Sequence, residues 1–329
     1  MPRQLKNSKV LITGGAGFIG SNLCDSFLKA GNTVVCLDNL ATGSKENISH
    51  LISDGNFSFL AGDIRDFKTC KKAMEGVDIV LHQAALGSVP RSINDPLTSN
   101  EVNITGFLNI LHAAKEAGVR RLVYAASSST YGDSKALPKV EDQIGMPLSP
   151  YAVTKYVNEL YAQVYGNLFG MEIIGLRYFN VFGKRQTPDG AYAAAIPRFV
   201  EAFIRHHSPT IHGDGLQTRD FTYIENVVQM NHLAATVENK EALNQVYNVA
   251  YGERTTLLDL IEIIREALVP FDSKISEVAL DFGPSRAGDV RDSLADVTKA
   301  KTLLGYEPSH SLKAGIVEAI DWYWDTLRN

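Results

Sequence analysis

Four glycines fall within the eight residues of TGGAGFIG (13–20), directly after the apolar run Val10–Thr13 and at the head of a stretch, Gly17–Ala30, with helical spacing. A chain so arranged turns sharply from strand into helix. Its missing side chains let backbone approach a pyrophosphate, which the helix N-terminus then stabilises. Gly14, Gly17 and Gly20 are spaced GxxGxxG, and Gly15, Gly17 and Gly20 also satisfy GxGxxG. Glycine spacing alone describes a tight turn equally well, so the context decides. The next apolar run, Thr33–Leu37, ends at Asp38, about 20 residues after the glycines, where an acid accepts the hydroxyls of an adenosine ribose. Strand, glycine loop, helix, strand and acid in this order point to a dinucleotide. No arginine adjoins Asp38 to take a 2′-phosphate, so the sequence favours NAD over NADP.

The first half continues in the same rhythm. Apolar runs at Phe57–Leu60, Ile79–Leu81 and Leu122–Ala126 alternate with helical stretches near Phe67–Glu75, Asn100–Ala117 and Tyr151–Phe169. Continuous apolar strands between helices predict a parallel sheet covered on both faces. This is an α/β doubly wound (Rossmann) fold, whose ligands lie beyond the carboxyl ends of the strands. After about Arg177 the pattern loosens into loops around three amphipathic helices, Ile196–Ile204, Thr256–Leu268 and Leu312–Leu327. The expected division is a dinucleotide-binding domain over residues 1–179 and a smaller C-terminal substrate-binding lobe over 180–329. No repeat, low-complexity segment or flexible linker separates them, so the lobes are expected to share an interface.

Composition narrows the partners. The 329 residues are 45% hydrophobic and 21% charged, with a net charge of −5 and no block of like charges. Nothing advertises a nucleic-acid or membrane surface, so any phosphate must be held by local groups. The N-terminus lacks the apolar core of a signal peptide, and no stretch approaches the ~18 apolar residues of a membrane span. Cys24, Cys36 and Cys70 are odd in number and lack metal-ligand spacing, and read as reduced core cysteines of a cytoplasmic protein. His206 and His207 have no partner acids to complete a metal site and are expected to face solvent; no metal is expected.

A second constellation follows the first. In YAVTK (151–155), Tyr151 and Lys155 are four apart, so on a helix they share one face. A phenol titrating near ~10 is a poor base, but one ammonium about 5 Å away contributes ~3 kcal/mol at an effective dielectric of 20, roughly two pKa units. An oxidised nicotinamide adds a second positive charge. Upstream, Ser127, Ser128 and Ser129 follow the run Leu122–Ala126, whose carboxyl end belongs at the cleft. A serine hydroxyl there can hydrogen-bond both a substrate oxygen and the phenol.

Taken together, TGGAGFIG (13–20), Gly62-Asp63-Ile64, HQAALGSVPRS (82–92), AASSSTYG (125–132), SPYAVTK (149–155), RYFNVFG (177–183), IHGDG (211–215), TRDFTYIEN (218–226) and RAGDVRDSLAD (286–296) resemble the extended short-chain dehydrogenase/reductase family. The likeness spans nearly the whole chain and is greatest to UDP-sugar 4-epimerases, particularly those acting on UDP-N-acetylglucosamine. The resemblance implies a cofactor site at Gly14, Gly17, Phe18, Ile19, Asp38, Asn39, Thr42 and Gly43. Asp63 and Ile64 would flank the adenine, and Gln83, Ala84, Ala85, Leu86, Asn103 and Phe179 would also adjoin NAD. Ser127, Tyr151 and Lys155 would be catalytic. The UDP-sugar would meet Ser88, Arg91, Ser128, Asn180, Ala195, Ile211, His212, Asp289 and Ser293, with Arg219 and Arg286 clamping the diphosphate; a guanidinium fork suits that geometry. A segment near 222–250 would return to the cofactor domain, and the helices Asn100–Ala117 and Tyr151–Phe169 would form a homodimer contact.

The implied reaction is epimerisation at C4. Tyr151 removes the hydroxyl proton while hydride passes to NAD, the 4-keto sugar turns over, and hydride returns to the opposite face. Related dehydratases carry an acidic pair where this chain has Ser128-Ser129, and related decarboxylases carry a glutamate at the place of Ser129, so both chemistries are disfavoured. Serine at Ser293 leaves room for an N-acetyl group that a tyrosine there would exclude. Arg91 suits a uronic carboxylate as well, so the N-acetylated uronic acid and UDP-glucose stay open as substrates. A dinucleotide-binding sensor, or a dehydrogenase that releases its ketone, is the competing class.

Overall fold

The computed structural model describes residues 4–188, 194–284 and 291–328. Its elements begin β1 (Lys9–Thr13), α1 (Phe18–Lys29), β2 (Thr33–Asp38), β3 (Phe57–Ala61), α2 (Phe67–Ala73) and β4 (Ile79–His82). There follow α3 (Val89–Asn94), α4 (Pro96–Asn100), a π-helical turn at Glu101–Gly106, α5 (Phe107–Glu116), β5 (Arg121–Ser127), α6 (Pro150–Phe169) and β6 (Glu172–Tyr178). The remainder runs β7 (Val181–Phe182), α7 (Ala195–Ile204), β8 (Thr210–His212), β9 (Thr218–Arg219), β10 (Thr222–Tyr223), α8 (Ile224–Thr236) and β11 (Gln245–Val249). It ends with β12 (Thr255–Thr256), α9 (Leu257–Leu268), β13 (Asp281–Gly283), α10 (Thr298–Leu304) and α11 (Leu312–Leu327).

The central sheet has seven strands in the order β11-β6-β5-β4-β1-β2-β3, each pair parallel. Strand order reverses between β1 and β4, which is where such sheets open a ligand crevice. All seven residues of β5 are buried, as expected of a strand with helices on both faces. One apolar core lies on the α1/α8 face and runs on into the second lobe through α7, α9 and α11. The other fills the α2/α5/α6 face.

The large sheet recruits its last strand late. β11 pairs with β6 in register Gln245↔Ile174 to Val249↔Tyr178, after the chain has already passed through the second lobe. The two lobes are also joined by backbone: Lys139 donates to Leu294 at 2.7 Å and accepts from Asp296 at 2.9 Å. Buried Asp220 accepts the N–H groups of Tyr251, Gly252 and Ala295, drawing three segments together. The helix read as one stretch from Asn100 to Ala117 instead carries the π turn, which takes Asn103 out of α-helical register and into the interior. Among the described residues no helix is long and apolar enough to cross a membrane.

Candidate active site

The glycine turn is built as its sequence demands. Gly14 has φ +66° and lies so close to the end of β4 that a Cβ would meet the nitrogen of Ala84 at 2.7 Å. A Cβ on Gly20 would collide with the carbonyl of Gly14. The N-cap of α1 is Gly17, which offers no side chain to its first N–H groups, so these remain available to an anion. Asp38 closes the turn from β2: its carboxylate accepts Ala16 N–H at 2.9 Å and Leu40 N–H at 2.7 Å. Beneath lies a buried pair in which Thr13 Oγ1 accepts Ala84 N–H at 3.2 Å and sits 2.8 Å from His82 Nδ1. Burial pushes His82 down to about 3, so it is neutral at ordinary pH.

A cleft of about 440 Å³ opens along the carboxyl ends of these strands. Gly14, Gly17, Phe18, Ile19, Asp38, Asn39, Thr42, Asp63, Ile64, Gln83, Ala84, Ala85, Leu86, Ser127, Tyr151 and Lys155 all line it. Gly43 does not; it packs on Ala16 behind the glycine turn. Asn103 and Phe179 do not either. Asn103 lies buried and holds the Leu86 backbone, accepting its N–H at 2.8 Å and donating to its carbonyl at 3.2 Å. Phe179 is fully buried beside the Tyr131 ring, because the residue after β6 faces the core.

Arg65 and Tyr178 line this cleft without having been singled out in the sequence. Arg65 is taken up by acids: Nη2 lies 2.7 Å from Asp63 Oδ2 and Nη1 lies 3.4 Å from Glu101 Oε2. Hydrogen bonds from Arg65, with one from Asn39, hold the Asp63 carboxyl down at about 2. The Tyr178 hydroxyl donates to Gln83 Oε1 at 3.2 Å and accepts from Asn231 Nδ2 at 2.9 Å. Gln83 Nε2 in turn donates to Asn231 Oδ1 at 3.5 Å, closing a three-membered ring that fixes the cleft wall.

The catalytic candidates come from two elements. Ser127 is the last residue of β5. Tyr151 and Lys155 sit on α6, whose start is set by Ser149 capping Ala152 N–H at 3.2 Å and by Pro150 in the first turn. Ser127 Oγ accepts two donors from Ser129, the N–H at 3.2 Å and the hydroxyl at 2.9 Å, leaving its own proton for the phenol. Lys155 is buried and donates to Ala125 O at 2.8 Å, with Nζ 6.0 Å from the Tyr151 ring centre.

The electrostatics correct one expectation. Lys155 does not by itself make the phenol acidic; burial pushes Tyr151 up, and a hydrogen bond from Ser127 opposes it. The same burial lowers Lys155 to about 8, with the Glu159 carboxylate pulling the other way. Two groups taken from water together each resist their charged form, and this outweighs the attraction reckoned in a more polar medium.

A second cleft of about 410 Å³ adjoins the first, sharing Asn180 and Val181 with it. Ala195, His212 and Arg219 line it, together with Arg198, Gln217, Thr210 and Phe221, which were not foreseen. Ile211 is fully buried because alternate residues of β8 face opposite sides. Ser88, Arg91, Ser128 and Ser293 do not line either cleft. Ser293 is anchored beside it, donating its N–H to Thr218 O at 3.1 Å, next to Arg219. Arg286 and Asp289 lie outside the described residues.

A model of the NAD dependent epimerase/dehydratase family matches residues 10–250. A putative UDP-glucose 4-epimerase of Methanocaldococcus jannaschii is 36% identical over 315 residues, 95% of this chain and 97% of that protein. The solved UDP-N-acetylglucosamine 4-epimerase from Methanobrevibacter ruminantium M1, in complex with UDP-N-acetylmuramic acid, is 34% identical, with a TM-score of 0.91 over 98% of this chain and 99% of that one. The UDP-glucuronic acid 4-epimerase of Bacillus cereus, solved with UDP-glucuronic acid and NAD, is also 34% identical, with a TM-score of 0.86 over 96% of this chain and 99% of that one. Sequence and architecture agree over nearly the whole chain, and it belongs to the NAD dependent epimerase/dehydratase family.

Proposed function

We propose that this enzyme is an NAD-dependent UDP-sugar 4-epimerase and that its sugar is N-acetylglucosamine, interconverted with N-acetylgalactosamine. The observation carrying this reading is the junction of two clefts: Ser127, Tyr151 and Lys155 line the first, and Asn180 belongs to both. A sugar held there by its diphosphate in the second cleft presents its ring to the phenol.

The cofactor is NAD, and the first cleft fits it: glycine backbone and the head of α1 for the pyrophosphate, Asp38 for the ribose, and Asp63 and Ile64 beside the adenine. When bound, it supplies a reversible oxidation of the sugar at C4 and a positive charge near the phenol. Tyr151 takes the C4 hydroxyl proton and later returns it, while Ser127 donates to the phenolate. Lys155 offsets the phenolate's charge from within α6. Arg219 and Asn180 hold the diphosphate while the ketone turns; binding energy from this distant handle retains the intermediate.

For the sugar itself, the support is the small side chain of Ser293, held beside the second cleft rather than in its lining, and the solved relative acting on UDP-N-acetylglucosamine. A homodimer is supported by an apolar face that α6 leaves exposed, Val153, Leu160, Val164 and Leu168, continued by Ile93 on α3 and Leu97 on α4. The test is incubation with UDP-glucose, UDP-N-acetylglucosamine and their uronic acids, with products resolved by NMR. Fastest conversion of UDP-N-acetylglucosamine at C4 is expected; preference for a uronic acid discards the sugar assignment, and no C4 product from any of them discards the activity.

A further inference from the structure

We infer that Ser92 is a positioning residue that sets the backbone of Tyr151 from α3, the short helix following β4; this rests on the reading of Tyr151 as the proton acceptor. The N–H of Tyr151 lies in the first turn of α6, where no intrahelical acceptor exists. Ser149 serves its neighbours, its hydroxyl taking Ala152 N–H at 3.2 Å and its carbonyl Val153 N–H at 3.0 Å. The acceptor for Tyr151 comes from another element. Ser92 Oγ, fully buried on α3, takes that N–H at 3.0 Å and donates its own proton to Val89 O at 2.7 Å.

The carbonyl side of Tyr151 is held as well. It accepts the Thr154 hydroxyl at 2.8 Å, Thr154 Oγ1 accepts Asn103 Nδ2 at 3.1 Å, and Asn103 grips Leu86 through both its amide atoms. Leu86 and Ser92 therefore reach Tyr151 from opposite ends of one short segment. Between them Ser88 holds φ +121°, a conformation strained for a residue with a Cβ, while its hydroxyl caps Arg91 N–H at 3.3 Å. Strain of this kind persists only where the surroundings over-determine it. The cleft wall at Leu86 and the turn at Ser88 thus move with the catalytic residue rather than independently of it.

The experiment compares Ser92→Ala, Ser92→Cys and Ser92→Thr in the NAD-loaded enzyme, reading kcat, KM, the pH profile, Tm and hydrogen exchange at the Tyr151 amide. Ser92→Ala is expected to lower kcat about tenfold with KM within about twofold, since a displaced reactive group costs chemistry more than binding. Its Tyr151 amide exchanges faster, and the acidic limb of the profile moves up as the phenol loses its setting. Ser92→Thr keeps the acceptor and recovers most of the rate; Ser92→Cys keeps the volume but accepts poorly, and stays slow even if the alanine variant does not fold. A lowered Tm with kcat and pH profile unchanged would reduce Ser92 to a helix cap and overturn the proposal. Unchanged amide exchange would overturn it too. Full turnover in Tyr151→Phe, with exchange still accelerated by Ser92→Ala, would instead remove the proton-acceptor reading and leave the tether standing.

Discussion

Asp63 grips Arg65 with both carboxylate oxygens, Nε lying 3.1 Å from each and Nη2 2.7 Å from Oδ2, on the wall of the cofactor cleft. Among the described residues, the one guanidinium lining that cleft with Asp38 and Asn39 is thereby kept from presenting an unpaired charge. A 2′-phosphate would meet the Asp38 carboxylate and an arginine already engaged. Asp63→Asn is expected to keep the fold and raise the use of NADP relative to NAD several-fold, modest because both side chains are partly exposed. Reconstitution of stripped enzyme with each cofactor measures this; an unchanged ratio would show that Arg65 has no part in the choice.

Lys155 is expected to set the basic limb of the pH profile. Its ammonium is charged below about 8 and neutral above, so turnover is expected to fall as pH rises through that value. Glu159 raises this pKa, and Glu159→Gln should therefore move the limb to lower pH. Lys155→Met is expected to lose on the order of a hundredfold or more in kcat. A limb indifferent to Glu159→Gln would separate the titration from Lys155.

Arg177 and Glu159 form a pair buried on both sides, with side-chain exposures of 4% and 7% and two bonds of 2.9 and 2.7 Å. The guanidinium also donates to Glu141 O at 2.8 Å and lies 4.8 Å from the centre of the Tyr131 ring. Arg177→Met strands the Glu159 carboxylate and is expected to cost about 3–5 kcal/mol of stability, much of it regained on adding Glu159→Met. Urea unfolding of the single and double variants distinguishes this from simple loss of packing, which the second change would deepen.

His82 is expected to make the protein acid-sensitive. Its folded pKa of about 3 lies below the ~6.5 of an unfolded histidine, so between these values only the unfolded state binds the proton. Stability is therefore present above about 6.5 and lost as pH falls toward 3, at up to roughly 1.4 kcal/mol per pH unit. His82→Gln keeps an acceptor for Thr13 and should flatten the fall of Tm between pH 6 and 4. An equally steep fall in that variant would assign the loss to other groups.

Ser293 is expected to control room at the sugar. Ser293→Tyr should depress turnover of acetamido sugars about tenfold more than that of plain hexoses, the range one bulky group in a pocket commands. Competition between the two substrates reads the ratio directly, and no change in it removes Ser293 from the sugar site.

Much of the site was legible because its parts are local. The glycine turn, Asp38 at the end of β2 and the Tyr151–Lys155 spacing are each written within a few residues and obey the periods of helix and strand. What escaped depends on contacts between distant segments. Nothing in the spacing shows that Arg65 shares a wall with Asp38, that Tyr178 closes a ring with Gln83 and Asn231, or that Phe179 turns toward Tyr131. The π turn escaped as well, since one extra residue in a helix leaves its composition unchanged while redirecting Asn103. The spacing of Tyr151 and Lys155 does not reveal how far burial raises the phenol, because desolvation is a property of the surroundings and not of the pair.

The late pairing of β11 against β6 makes the molecule indivisible. A fragment ending near residue 180 would lack both its final sheet strand and the α8 layer over one face, leaving β6 as a bare edge. Neither portion is a ready-made module to be cut out and grafted elsewhere, so exchange of sugar specificity between such enzymes must proceed by replacing individual residues and loops within an intact chain.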